Sequence, residues 1–110
     1  MTRTDKRDET VYAYPHGIPI PPIHPGRTIA AELYARGLSG HRAALMMRIP
    51  ANRLTLILNG HRGITADTAL RLARLFGTSA QFWMNLQSQY ELAIVERRRG
   101  RQILAEVEAA

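Results

Sequence analysis

Asn52, Arg53 and Thr55 stand close together in the run Ala51-Asn52-Arg53-Leu54-Thr55-Leu56. No base stands at a recognisable spacing from a nucleophile here or elsewhere, so these side chains point to recognition rather than bond-breaking. Asn presents a paired donor and acceptor that match the major-groove edge of adenine, and Arg presents a fork that matches guanine. Thr offers a hydroxyl to a base or a phosphate, and its methyl can touch thymine. With Ala51 and Leu56 as apolar neighbours, these five residues are the candidates for contact with base edges. A second set, Ser39, Arg42, Arg48, Asn59, His61 and Arg62, carries hydroxyl, amide and cationic groups of the kind that hold phosphate oxygens.

Other chemistries find little support. The chain has 110 residues and no cysteine, which removes disulfides, thiolate metal sites and thiol catalysis. Its four histidines, His16, His24, His41 and His61, match no common zinc spacing. No paired-carboxylate signature or phosphate-cradling glycine loop occurs, and Gly60 and Gly63 read as turn glycines. The expectation is a non-enzyme without cofactor or metal. Lys and Arg number 15 against 9 Asp and Glu, a formal charge of +6 that suits a polyanion but also simply keeps a protein soluble. Residues 1–10 are polar, and no stretch approaches the ~20 apolar residues that span a bilayer. With the lack of cysteine this leads to an expected cytoplasmic location and no membrane partner.

The elements that must position these residues read as helices. Pro25 suits a first helical position, where a missing N–H costs nothing. Ile29, Ala30 and Leu33 then recur at helical spacing and Gly37 stops the run. Ser39 is the expected N-cap of a short helix through about Met47, with Ala43, Ala44 and Met47 inward. Pro50 opens a third helix whose buried seam is Leu54, Ile57 and Leu58, and Asn59-Gly60 closes it. Thr65 caps a fourth, in which Ala69, Leu72, Ala73 and Phe76 face the core and Asp67, Arg71 and Arg74 face water. Ser79 caps a fifth carrying Phe82, Trp83, Leu86 and Tyr90. It runs past Arg97, with Gly100 as its weak point and a small stripe of Ile103, Leu104 and Val107 beyond. Trp83 reads as core, and Met46 and Met47 as gap fillers.

The segment 39–59 therefore has two short helices and a tight turn at Arg48-Ile49-Pro50, the plan of a helix-turn-helix. In that plan one helix crosses the phosphate backbone and the next lays its first residues in the major groove. The arm 1–23 opens polar, and from 11 combines Tyr12, Tyr14, Ile18, Ile20 and Ile23 with prolines that impose an extended path. It either packs along its own domain or docks on a partner. The division expected is an arm over 1–23, a DNA-binding domain over 24–95 and a basic helical extension over 96–110. In the last, the Arg-rich run from Glu96 to Arg101 is a solvated face or a track for phosphates.

Longer motifs sharpen this. His24-Pro25-Gly26, Gly37-Leu38-Ser39, the run from Asn59-Gly60 through Ile64-Thr65-Ala66-Asp67-Thr68-Ala69-Leu70-Arg71-Leu72-Ala73, and Phe76-Gly77-Thr78-Ser79 with Phe82-Trp83-Met84-Asn85-Leu86-Gln87 and Tyr90-Glu91-Leu92 resemble the HigA-type antitoxins, a branch of the lambda-repressor-like (XRE) helix-turn-helix proteins. The resemblance covers 24–92. It implies an all-α, five-helix, lambda-repressor-like bundle with an extended N-terminal arm and a long C-terminal helix. It further implies a homodimer on palindromic operator DNA that represses its own operon and neutralises a HigB-type, RelE-like, mRNA-cleaving toxin.

The pattern departs from the family where DNA is touched. Gly40 stands where a phosphate-anchoring Gln is usual, Arg48 where the turn usually has Gly, and Ala43 where a large aliphatic residue is usual. Leu45 and Leu56 replace polar residues, and with Met46 they reach a thymine methyl, a dimer mate or nothing in particular. Two other readings follow: a helix-turn-helix-derived protein-interaction module with weak or lost DNA readout, or a regulator without a toxin partner.

Overall fold

A computed structural model describes residues 21–110. The expected arm lies, over 1–20, outside the described residues, as does His16. Among these residues five helices follow one another: α1 (Pro25–Ala35), α2 (Gly40–Met47), α3 (Ala51–Leu58), α4 (Ala66–Phe76) and α5 (Ala80–Glu106). No strand occurs among the described residues, and the fold is the all-α, lambda-repressor-like arrangement with a helix-turn-helix at α2–α3.

Each helix start has a local cause. The His24 imidazole accepts the Gly26 N–H at 2.9 Å, and Pro25 follows at the first helical position. Ser39, Thr65 and Ser79 accept the N–H groups of Arg42, Thr68 and Phe82 through their hydroxyl oxygens. Each satisfies a donor that the helix cannot reach, at a gain of ~1 kcal/mol apiece. Pro50 precedes α3 without a side-chain cap.

Four helix ends share one device, a left-handed residue whose successor reaches back to the last turn. Gly37, Gly60 and Gly77 have φ of 61°, 80° and 73°. The N–H groups of Leu38, His61 and Thr78 return to the carbonyls of Leu33, Leu56 and Ala73. At the end of α2 the same motif is built on Arg48, φ 59°, with Ile49 N–H bonded to the Ala44 carbonyl at 3.0 Å.

One unit of the chain spans Ile23–Tyr90, and residues from Glu91 belong to another. Within the first, Ile29, Leu33, Ala43, Ala44, Met47, Leu54, Ile57, Ile64, Ala69, Leu72, Phe76 and Trp83 form the core. α1 packs on α3, and α2 packs on both α3 and α4. Trp83 is fully buried, donates its Nε1–H to the Thr78 hydroxyl at 2.7 Å and lies against Phe76. Gln87, also buried, accepts the Ile64 N–H at 2.8 Å and so fixes the loop that enters α4. The chain passes closely at Gly26, where an added Cβ would stand 2.1 Å from the Ile57 carbonyl oxygen.

Several expectations are corrected. Ala30 is exposed, because the buried side of α1 is Pro25, Gly26, Ile29 and Leu33, and Ala73 is half-buried. Phe82 is 43% exposed and meets Trp83 edge-on from the rim. Gly100 does not interrupt α5, since intrahelical bonds continue on both sides of it. Beyond Glu91, Leu92, Val95, Leu104 and Val107 are exposed.

Candidate nucleic-acid interface

α3 turns by ~100° per residue, and its buried residues set its orientation. Leu54 and Ile57 are each 1% exposed, with Leu58 half-buried beside them. The opposite arc carries Ala51, Asn52, Thr55 and Leu56, all exposed, with Asn59 just past the end. The side chain of Asn52 bonds to nothing among the described residues, so its amide remains free to pair with a base edge. Thr55 donates its hydroxyl to the Ala51 carbonyl at 3.0 Å. In this state it offers lone pairs and a methyl, which suits an amino group or thymine rather than an acceptor.

Arg53 is placed differently. Its wheel position lies on the flank of α3, near the buried side, and its side chain is 28% exposed. Its Nη1 lies 3.4 Å from Asp67 Oδ2, at the start of α4. The same carboxylate oxygen accepts Arg71 Nε–H at 2.9 Å. Arg71 also donates from Nη1 to the Met47 carbonyl at 2.8 Å, satisfying a group that the end of α2 leaves open. Arg71 is thus a brace between α2 and α4, not the simple water-facing residue of the helical wheel. The hydrogen bond from Arg71 holds the Asp67 carboxyl below its ordinary range, and the charges of Arg71 and Arg53 add to this against a desolvation effect.

The phosphate candidates fall into two places. At the start of α2, the exposed Ser39 caps the helix while Arg42 extends into solvent. Gly40 is half-buried, and a Cβ there would meet Leu58 Cδ1 at an ordinary 3.5 Å, so the position has room for a larger residue. After α3, Asn59, His61 and Arg62 are exposed in the loop leading to α4. That loop is tied down by His24, whose imidazole pairs with the Arg62 backbone and meets Tyr90 edge-on at 4.9 Å. Burial holds the His24 pKa below the usual imidazole value, with the Arg62 hydrogen bond opposing it. Arg48, exposed, sits on the turn between α2 and α3.

Asp67, Arg71 and His24 escaped the sequence reading as positioning residues. The i, i+4 spacing of Asp67 and Arg71 is visible in sequence, but the pairing of Arg53 with Asp67 is a product of the fold. Apolar side chains also face solvent near these groups, with Leu45 57%, Met46 53% and Leu56 39% exposed. Met46, Arg48, Leu70 and Arg74 line an open groove beside the turn. No cluster of His, Asp and Glu suited to a metal ion occurs among the described residues, and no helix there is long and apolar enough to cross a membrane.

Comparison with known proteins adds to this geometry. Residues 29–83 match the helix-turn-helix family. An addiction module antidote protein of a HigA family from Coxiella burnetii is 47% identical, with a TM-score of 0.80 over 83% of this chain and all of that one. The Pseudomonas aeruginosa antitoxin HigA, solved with the higBA promoter, is 45% identical, with a TM-score of 0.77 over 80% of this chain and 97% of that one. Virulence-associated protein I of Dichelobacter nodosus is 46% identical over 79 residues, 71% of this chain and 73% of that protein.

Proposed function

The chain belongs to the helix-turn-helix family, in its HigA-type branch, and on that premise we propose that it is a DNA-binding autorepressor that also acts as an antitoxin. The observation that carries this reading is the exposed arc of α3, where Asn52 and Thr55 face away from the Leu54–Ile57 seam. α3 enters the major groove, with Asn52 reading adenine and Thr55 and Leu56 touching neighbouring bases. Arg42 at the start of α2, and His61 and Arg62 after α3, hold phosphates on either side, as helix starts and flanking loops do in this architecture. Solved relatives described with operator or promoter DNA support the assignment.

The protein acts as a homodimer in the cytoplasm, on a two-fold operator in its own promoter. Leu92, Val95 and Leu104, exposed along the second half of α5, and Val107, just past its end, are the surface for self-association. Its protein partner is a HigB-type toxin encoded beside it, and no enzymatic step is assigned to the chain itself.

Co-purification with the neighbouring gene product, followed by a gel shift on the upstream DNA, tests both halves. Recovery of a 1:1 or 2:2 complex and a shift confined to the promoter duplex are expected. No complex and equal shifts on promoter and scrambled DNA would overturn the assignment. Deleting 100–110 should weaken the dimer in size-exclusion light scattering, and an unaltered dimer would remove α5's end from that role.

The exposed Met46 and Leu70, which line a groove with Arg48 and Arg74, and the exposed Leu45 favour a second reading. In it the turn region is a protein-docking face and DNA readout is secondary. Binding to the neighbouring gene product without any promoter preference would support it.

A further inference from the structure

Asp67 holds two guanidinium groups on one oxygen, and it holds them unequally. Arg71 lies at 2.9 Å and is fixed a second time, through the Met47 carbonyl at 2.8 Å. Arg53 lies at 3.4 Å, beyond the 2.7–2.9 Å usual for a charge-assisted bond, and nothing else fixes its guanidinium among the described residues. Arg71 is therefore the brace, and Arg53 the arginine that can leave. When Arg53 leaves, the Asp67 carboxylate stays paired through Arg71, so departure strands no charge.

We infer that Asp67 is a positioning residue that sets DNA specificity by holding Arg53 against α4 until a correctly placed base acceptor competes for it. This rests on the DNA-binding reading above. An Arg at the start of a groove-reading helix is drawn to any phosphate as well as to guanine. Phosphate contact carries no sequence information, so an untethered Arg53 raises affinity for all DNA. A carboxylate at the start of α4, within reach of Arg53 on the flank of α3, opposes that general attraction. Two acceptors on guanine, met bidentately, are the better competitor. The salt bridge is partly exposed, so the tether is weak enough to be broken on the correct site.

The test is a double-mutant cycle on the full chain, with Asp67→Asn in the native and the Arg53→Ala backgrounds. Affinity is read by fluorescence anisotropy on a duplex covering the promoter of the protein's own gene and on a scrambled duplex of equal length and composition. Thermal unfolding of each variant is recorded, and Asp67→Glu, which keeps the charge, serves as the rescue.

With Arg53 present, Asp67→Asn should tighten binding to scrambled DNA about 3–10-fold, lower the promoter-to-scrambled ratio, and steepen the salt slope by about one phosphate contact. In the Arg53→Ala background these changes should vanish, and Asp67→Glu should restore much of the ratio. Equal changes in both backgrounds would show that Asp67 acts as bulk negative charge and would overturn the inference. An unchanged ratio in a folded Asp67→Asn protein would overturn it as well. If the native protein itself fails to prefer the promoter, the DNA-binding reading falls, and the inference with it.

Discussion

Arg48 occupies a backbone position that glycine fills at the ends of α1, α3 and α4. A left-handed conformation costs a residue with a Cβ ~1–2 kcal/mol. Replacing Arg48 by glycine removes that strain but adds ~0.4–1 kcal/mol of unfolded-chain freedom. The strain term wins, so Arg48→Gly should raise stability by roughly 0.5–1 kcal/mol in denaturant unfolding. If the arginine is held there for phosphate contact, the same variant should bind promoter and scrambled DNA more weakly by a similar factor. A stabilised protein with unaltered affinity would assign Arg48 no part in DNA contact.

His24 joins α1 to the loop after α3 with a neutral imidazole that accepts the Gly26 N–H. Its pKa is lowered in the fold, so the unfolded chain takes up the proton first as pH falls through the ordinary imidazole value of about 6.5. The contribution of His24 to stability is therefore complete above that pH and is lost below it, until the folded imidazole also protonates. His24→Asn keeps an N-cap but does not titrate. Its unfolding free energy should vary less with pH than that of the native protein just below this value, and identical slopes would contradict the role given to the imidazole.

At the scale of elements, the meeting of α1 and α3 depends on the missing side chain of Gly26. A Cβ there would press on backbone, the Ile57 carbonyl, which no rotamer change relieves. Gly26→Ala should cost at least about 2 kcal/mol in unfolding experiments, whereas Gly40→Ala, which meets only the flexible end of Leu58, should fold normally.

The helices themselves were legible because their signals are local. Ser39, Thr65 and Ser79 cap the helices assigned to them, and Asn59-Gly60 and Gly77 end theirs. The seam Leu54–Ile57 was legible from periodicity alone. Periodicity puts Phe82 on the apolar side of α5 with Trp83 and Leu86 but does not say where the neighbouring element ends, and Phe82 stands at the rim. α5 persists through Gly100 because one glycine costs only ~1 kcal/mol in a long helix. At the site, the open position of Asn52 follows from the wheel. The tether of Arg53 does not, since its partner is 14 residues away on another helix. The His24 contacts likewise join residues that only the tertiary fold brings together.

For the molecule as a whole, a net charge of +6 should appear as a salt dependence on any DNA, with log affinity falling by ~0.9 per phosphate contact for each unit of log salt. Two-fold self-association would set two half-sites about one helical turn of DNA apart, or a multiple of it, in a footprint of the promoter. A footprint of a single half-site bound by a monomer would contradict that arrangement.

Affinity of the native protein and of Asn52→Ala for the promoter and scrambled duplexes, at one salt concentration, tests the role of α3 most directly. Asn52→Ala should lose about 1–3 kcal/mol on the promoter and change little on scrambled DNA, so that the preference shrinks. Equal losses on both duplexes, or none on either, in a folded variant would contradict base reading by α3.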